Sequence, residues 1–377
     1  MKGHVLNCGY LPLVDCAPLL IAKELGFAAE EGLDLRLIKQ PSWSALRDNL
    51  ILGQLDAAQM LAPMPIALRL GIGGVRADVD VLSVLSVNGT VFGLSQALIS
   101  ALDPVPYGDP DAILAKLAQH GKTLRIGVPF HASTHRLLLS YLLARCPDIK
   151  TDVITVPPPR MAAAIADGQV DAFWVGEPWG SVAVKNNAAA IVLTGSQIWS
   201  FAPEKVLAAR SNWVTENPEP TRALMRATYK AGQWLGQRSN AALAVDILAR
   251  SEHLDLTDDL IDPGISGEVT LDPTIGPRHI DNFLLFFRNA SQFPWRSQAA
   301  WIATQLGADD NSIAEAKRCF RSDLYRENLG SLGVDLPGAS EKVEGALAHE
   351  TAVASTRGNM ILGPDAFFDG KTFDFHG

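Results

Sequence analysis

Apolar and polar residues alternate strictly over Leu33-Asp34-Leu35-Arg36-Leu37-Ile38, the period-two signature of a half-buried strand. Val5-Leu6-Asn7-Cys8-Gly9-Tyr10 reads as a strand before it. Between the two, the spacing predicts a helix over 16–25, with Asp15 as its cap, Pro18 tolerated in its first turn and Gly26 ending it. Ser42 or Ser44 can open the next helix, and 55–61 follows as a buried strand. Strand, helix, strand, helix, strand predicts a mainly parallel sheet. A further strand over 81–87 stops at the turn pair Asn88-Gly89. A second series follows at 124–128, 153–156, 170–175 and 190–193, with Pro157-Pro158-Pro159 as a stiff connector. Beyond 194 the pattern turns helical over 220–249, then acidic and loop-like over 254–277. It becomes helical again over 279–306 in two pieces broken at Pro294. The last forty or so residues lack strong periodicity and read as a partly irregular tail packed on the body or helping an interface.

One phrase occurs twice. Gly53-Gln54-Leu55-Asp56-Ala57 returns as Gly168-Gln169-Val170-Asp171-Ala172. Each copy follows a helical run, over 44–52 and 160–166, and each enters a short apolar segment that ends at a proline, Pro63 or Pro178. A helix stopped by glycine, a buried strand and a proline-marked loop make one unit, and two such units predict two α/β lobes built alike. Two lobes imply a cleft, where ligands bind. The expected division is 1–88 for the first part of lobe I and 89–194 for lobe II. Residues 195–306 return to lobe I, and 307–377 form a C-terminal extension.

Composition narrows the function. With 47% hydrophobic and 19% charged residues, the chain has an ordinary globular balance. Its net charge of −9 argues against direct nucleic-acid binding, which needs a basic stripe, but leaves room for a local anion site. Cys8, Cys16, Cys146 and Cys319 are scattered without CxxC spacing, which predicts neither a disulfide framework nor a zinc cluster. Met1-Lys2-Gly3-His4 leads straight into the first strand. If Met1 is the native start, the expectation is a cytosolic protein; a trimmed start removes that inference.

Candidate chemistry gathers where strands pass into helices. Gly127 to His135 is a strand end, a loop and a helix start, the location at which open α/β sheets take ligands. Ser133 and Thr134 suit a helix N-cap, and the positive helix end with its hydroxyls and His135 favours an anion. An ordinary capped helix with a surface histidine accounts for the same pattern. His131 and His135 are four apart, but the helix start between them and the lack of a nearby third ligand argue against a metal. Trp43, in Pro41-Ser42-Trp43-Ser44, can wall a pocket and donate its indole N–H, or simply fill core. Lys205 reads by itself as an exposed lysine. No Ser–His–Asp grouping, phosphate loop or acid–base carboxylate pair appears, so no enzyme activity and no cofactor are expected.

Together these segments resemble a known family. Asp15-Cys16-Ala17-Pro18-Leu19, Lys39-Gln40-Pro41-Ser42-Trp43, Arg47-Asp48-Asn49-Leu50 and Leu61-Ala62-Pro63-Met64-Pro65 are similar to segments of the nitrate-binding proteins of ABC transporters. So are Ser133-Thr134-His135, Val175-Gly176-Glu177-Pro178-Trp179, Pro203-Glu204-Lys205 and Phe293-Pro294-Trp295, all in family order. The resemblance implies a two-lobed type II periplasmic-binding-protein fold, an α/β architecture with the ligand cleft between lobes. It places the family's pocket tryptophan on Trp43, its histidine on His135 and its lysine on Lys205, with Ser133 and Thr134 beside them. Thr90 stands where the nitrate proteins carry a glutamine after Asn-Gly, which bears on nitrate-versus-nitrite preference. Pro63, Glu177 and Trp179 are expected to line the cleft.

The plain Met1 start points within that resemblance to the cytosolic nitrate/nitrite sensors of the NasS type. These bind nitrate or nitrite and hold an RNA-binding antiterminator, of the NasT type, until the ligand releases it. The acidic charge would complement a partner with a basic surface, with no direct nucleic-acid contact and no membrane contact. The alternative is an exported substrate-binding component of an ABC transporter for nitrate, bicarbonate or a sulfonate. An enzyme on the same fold is a distant third.

Overall fold

The computed structural model describes residues 4–375. Strands β1 (His4–Tyr10), β2 (Leu33–Lys39) and β3 (Ala57–Leu61) pair in parallel, as the alternating pattern predicts. The following strand, β4 (Val79–Asn88), is continued after one residue by β5 (Thr90–Ser95), which belongs to a different sheet. That sheet also holds β6 (Leu124–Val128), β7 (Thr151–Thr155), β8 (Ala172–Gly176) and β9 (Ala189–Thr194), in the order β7-β6-β8-β5-β9. The chain then returns as β10 (Pro203–Arg210), antiparallel to both β3 and β4. Further on, β11 (Glu268–Thr270) and β12 (Pro277–His279) form a hairpin, and β13 (Leu284–Leu285) completes the first sheet in the order β13-β4-β10-β3-β1-β2. The result is two α/β lobes, each a mixed sheet flanked by helices.

The repeated phrase does the same structural work in both lobes. Gly53 and Gly168 take left-handed backbone, φ 77° and 66°, where a helix ends and the chain must turn. Asp56 then accepts from Asn7 N on β1, 2.8 Å from its Oδ2, while its own N–H donates to Asn7 O at 2.9 Å. Asp171 repeats this on β6, with Arg125 N 2.9 Å from Oδ2 and its own N–H 2.8 Å from Arg125 O. The aspartate thus fixes where β3 or β8 begins against its parallel neighbour.

Helices from both ends of the chain cover the first lobe. Among them are Ala17–Glu24, Trp43–Ile51, Pro63–Leu70 and Pro218–Leu235. The expected helix over 279–306 forms only after Pro294, as Arg296–Gln305. Its first half is instead turns around a two-residue strand, Leu284–Leu285, which pairs with Asn88 and Val87 at the edge of β4, and a 3-10 turn over Arg288–Ala290. Asp15 is not a helix cap either: it lies in a 3-10 turn, Val14–Cys16, with its side chain buried. Residues 268–283 lean on the second sheet, where Val269, Leu271 and Phe283 pack with Val91, Phe173 and Ile191, and Ile191 N donates to Leu271 O at 2.8 Å.

After Gln305 come two helices, Asp310–Cys319 and Ser322–Gly330, and a hairpin of β14 (Thr351–Val353) and β15 (Met360–Leu362). The tail then closes on the lobe crossing. Ser200 N donates to Ala366 O and Phe368 N to Ile198 O, while Phe367 stacks at 5.0 Å on Trp199. Asp369 accepts from the Tyr141 hydroxyl at 2.9 Å, on the helix Thr134–Leu143 of the second lobe.

Asn88 stands where these crossings meet. Its Nδ2 donates to Ser200 O at 2.9 Å and to Asn282 O at 3.0 Å, and its Oδ1 accepts from Ala202 N at 3.0 Å. Its φ is 63°, a conformation that asparagine tolerates better than other side-chain-bearing residues. Asn88→Ala leaves two carbonyls and an N–H unpaired and puts a Cβ on left-handed backbone. It should cost on the order of 3 kcal/mol in urea unfolding, with Asn88→Gly about 1 kcal/mol less damaging.

Candidate functional site

Lys205 lies on β10 opposite Leu61, where β3 ends, and its side chain is completely buried. A buried ammonium must be paired. Asp15 Oδ2 lies 2.6 Å from Nζ and Glu204 Oε1 2.7 Å. Trp43, the first residue of its helix behind the Ser42 cap, presents its ring 5.4 Å from Nζ. Asp15 is steadied from β3, where Gln59 Nε2 donates to Oδ1 at 2.7 Å and Gln59 Oε1 accepts from Leu11 N. His135 comes from the second lobe and is also fully buried. Its Nδ1 lies 3.3 Å from Glu204 Oε1 but off the hydrogen-bond axis, so that neither ring nitrogen has a hydrogen-bond partner. Trp43 Nε1 and Glu204 Oε2 are likewise buried and unpartnered.

Three hydrogen bonds hold the lobes together around this cluster. Thr134 Oγ1 donates to Pro203 O at 2.9 Å, Val14 N to Glu177 O at 3.0 Å, and Trp179 Nε1 to Pro12 O at 3.3 Å. Gly176, at the end of β8, comes so close that a Cβ there would lie 3.6 Å from Asp15 Oδ2 and 3.7 Å from His135 Nε2. Both repeat-derived strand ends therefore face the same interlobe space.

The charges do not balance. Burial pulls the Lys205 ammonium down, but Asp15 and Glu204 more than offset it, so Lys205 stays protonated above its ordinary range. Burial lifts Asp15 to about 6 against the pull of Lys205, with Glu204 pushing the same way as burial. Glu204 is also raised by burial, against the pull of Lys205. The lysine favours its charged form while both acids favour their neutral ones. One cation can compensate only one carboxylate, so the second bears the cost of burial. Burial and then Lys205 hold His135 well below the ordinary histidine value, so it is a neutral imidazole with one N–H to give.

The sequence-derived candidates thus divide. Trp43, His135 and Lys205 converge. Ser133 caps its helix, accepting from Arg136 N and donating to Phe130 O, and Thr134 spends its proton on Pro203. Thr90 Oγ1 accepts from Trp174 Nε1 at 2.9 Å, on the second-lobe side of the crossing. Pro63 begins the helix after β3, next to Ala62, whose N–H donates to Glu204 O. Glu177 and Trp179 touch the opposite lobe through the bonds above. Asp15, Gln59 and Glu204 also gather at Lys205, a placement that sequence reasoning missed. Glu204 carried a signal in its position beside Lys205. Among the described residues, no group of three or more His, Cys, Asp or Glu is arranged to hold a metal ion. A flat, monovalent anion with acceptor atoms all round matches the donors that remain: Lys205, the Trp43 indole and His135.

The NMT1-like family model matches residues 2–249. The chain belongs to the NMT1-like family. Within this family it stands close to nitrate-binding substrate-binding proteins. It is 30% identical over 395 residues to the nitrate/nitrite binding protein NrtA of Synechococcus elongatus, covering 99% of this chain and 84% of that protein. It is 35% identical over 350 residues to the nitrate import ATP-binding protein NrtC of Synechocystis, but spans only 52% of that protein's length. The crystal structure of the periplasmic nitrate-binding protein NrtA from Synechocystis PCC 6803 superposes with a TM-score of 0.85 at 28% identity, covering all of this chain and 96% of that one. The periplasmic-binding-protein fold implied by the sequence is therefore the observed one.

Glu177 adds a testable consequence. It is buried without a cation, Oε2 accepts from Ser181 N, Oε1 has no partner, and burial lifts its pKa from 4.5 to about 7. A carboxyl raised on folding contributes stability that is present below the unfolded value and lost as pH rises through the folded one. Relative to Glu177→Gln, the parent should lose on the order of 3 kcal/mol between about pH 4.5 and about pH 8, read from urea midpoints across that range.

Proposed function

We propose that this chain is a cytosolic nitrate/nitrite sensor that governs nitrate-assimilation genes by ligand-dependent release of an RNA-binding antiterminator of the NasT type. The observation that carries the anion half is the set of buried, unpartnered donors at the lobe interface, the Trp43 indole N–H and neutral His135, gathered beside Lys205. Nitrate is planar and accepts hydrogen bonds around its rim, so Trp43 can wall it and donate to it at once. The names of the NrtA relatives support the same ligand class. The sequence resemblance and the acidic net charge support the sensor half, since an acidic protein can hold a basic partner without touching RNA itself. The chain acts by binding rather than by catalysis, as the NrtA and CmpA relatives are named for what they bind.

The switch follows from two-state linkage. The anion needs donors from both lobes, so it favours the closed form, and a released partner must favour the open one. A full exchange between the two states requires about 5.5 kcal/mol of differential affinity. Pull-down from lysate with and without nitrate tests this: a small RNA-binding protein should be retained without nitrate and lost with it. The partner must weaken nitrate binding by the factor with which nitrate weakens the partner. Equal nitrate affinity with and without partner would contradict the switch.

A second reading is the exported binding component of an ABC transporter for nitrate, bicarbonate or a sulfonate. One observation favours bicarbonate within it: Glu204 Oε2 is an unpartnered acceptor beside the donors, which suits a ligand with its own O–H. Cell fractionation separates the two, because the sensor reading requires the protein in the cytosol. For the site itself, Trp43→Phe keeps the ring and removes the indole donor. Nitrate affinity measured by titration calorimetry should fall about tenfold, and an unchanged affinity would take Trp43 out of the site.

A further inference from the structure

The charge around Lys205 limits what can enter. Asp15 reaches its Nζ from the turn Val14–Cys16 and Glu204 from β10. Trp43 faces it from the helix Trp43–Ile51, and neutral His135 from the helix Thr134–Leu143. Gln59 on β3 and Thr134 stand behind the two carboxyls and carry no charge. With both acids ionised, the buried set holds one positive charge against two negative. A monovalent oxyanion would make it one against three, in a region closed to water on every side chain named. Net attraction for such an anion therefore cannot come from Lys205 alone.

We propose that the site takes its oxyanion together with one proton from solvent, held on Glu204 Oε2, so that the carboxyl becomes a donor to the ligand. The proposal rests on the anion-binding reading above. Geometry selects Glu204 over Asp15. Both Asp15 oxygens are engaged, Oδ1 by Gln59 and Oδ2 by Lys205. Glu204 gives only Oε1 to Lys205, and Oε2 is buried with no partner. Protonation at Oε2 keeps the lysine contact, converts an orphan acceptor into a donor, and leaves the buried net charge the same with ligand as without. Burial already biases Glu204 toward its neutral form. The bookkeeping closes without a redox partner: one anion and one proton enter, and both leave together.

Titration of the full chain with sodium nitrate, in two buffers of different ionisation enthalpy, counts the protons. Above the free-protein pKa of Glu204, the expected result is uptake of about one proton per nitrate and affinity that falls about tenfold per pH unit. Glu204→Gln should abolish both the uptake and the pH slope, whereas Asp15→Asn should retain them. Difference infrared spectra of the parent should show a protonated-carboxyl band growing as nitrate is added, which tests the proposal even if a variant fails to fold. Nitrate binding with equal heats in both buffers at every pH, or uptake that persists in Glu204→Gln, overturns the proposal and leaves the anion site standing. No binding of nitrate or nitrite at any pH removes the anion reading, and the proposal with it.

Discussion

A fully buried ammonium is among the most demanding groups a fold can contain, and Lys205 sets much of the surrounding architecture. Its partners are far apart in the chain: Asp15 lies 190 residues away and arrives from the turn after β1. Gln59 orients Asp15 from β3, so three neighbouring segments of one sheet are committed to a single cation. The second lobe then docks on this arrangement through Thr134 and Glu177 rather than through the lysine itself. Stability at this point comes from completing a polar network, which is favourable only when every member is satisfied. Here it is not: Trp43 Nε1, both His135 nitrogens and Glu204 Oε2 remain unpartnered. A network closed around the lysine but incomplete as a hydrogen-bond set is what a binding site requires of a protein that must also fold.

The crossings between lobes show a different economy. Each lobe is a mixed sheet, and one buried apolar cluster joins them, from Leu61 and Val84 of the first to Phe92 and Leu138 of the second. Asn88 adds polar bonds to that joint, to the return crossing at Ser200 and Ala202 and to the excursion at Asn282. Rigid-body motion of two lobes needs a few residues that absorb the change and neighbours that do not. Gly89, on left-handed backbone, sits between β4 and β5 where such a change would fall, beside the bonded Asn88.

Much of this was legible because it is local. Alternation over 33–38 gave β2, and the repeated Gly-Gln-x-Asp-Ala gave two equivalent units whose strand ends face each other. Trp43, His135 and Lys205 came through family resemblance, and they do converge. The remainder depended on contacts that sequence separation conceals. Asp15 precedes a helix and has the chemistry of a cap, yet a buried lysine outcompetes a helix end for its carboxylate. Leu284-Leu285-Phe286-Phe287 is a short apolar run, which periodicity alone cannot assign, and the open edge of β4 decided it. Thr90 was expected at the ligand, and its hydroxyl oxygen also meets the need of a buried indole by accepting from Trp174, a contact 84 residues away that local pattern does not show.

The C-terminal tail is where local pattern said least and topology says most. Its Phe367 enters an aromatic group made by Trp199 from the return crossing, Trp301 from the first lobe and Tyr141 from the second. Tyr141 lies on the helix that also carries Thr134 and His135, and its hydroxyl is held by Asp369. Any displacement of that helix away from β10 must therefore either stretch the Tyr141–Asp369 bond or carry the tail with it. Tail and cleft share this helix, so any free energy of moving the lobes relative to each other would include the tail's contacts. A partner that grips this end of the molecule would shift the cleft equilibrium without entering it, because coupling requires only that two sites bias the same two-state element.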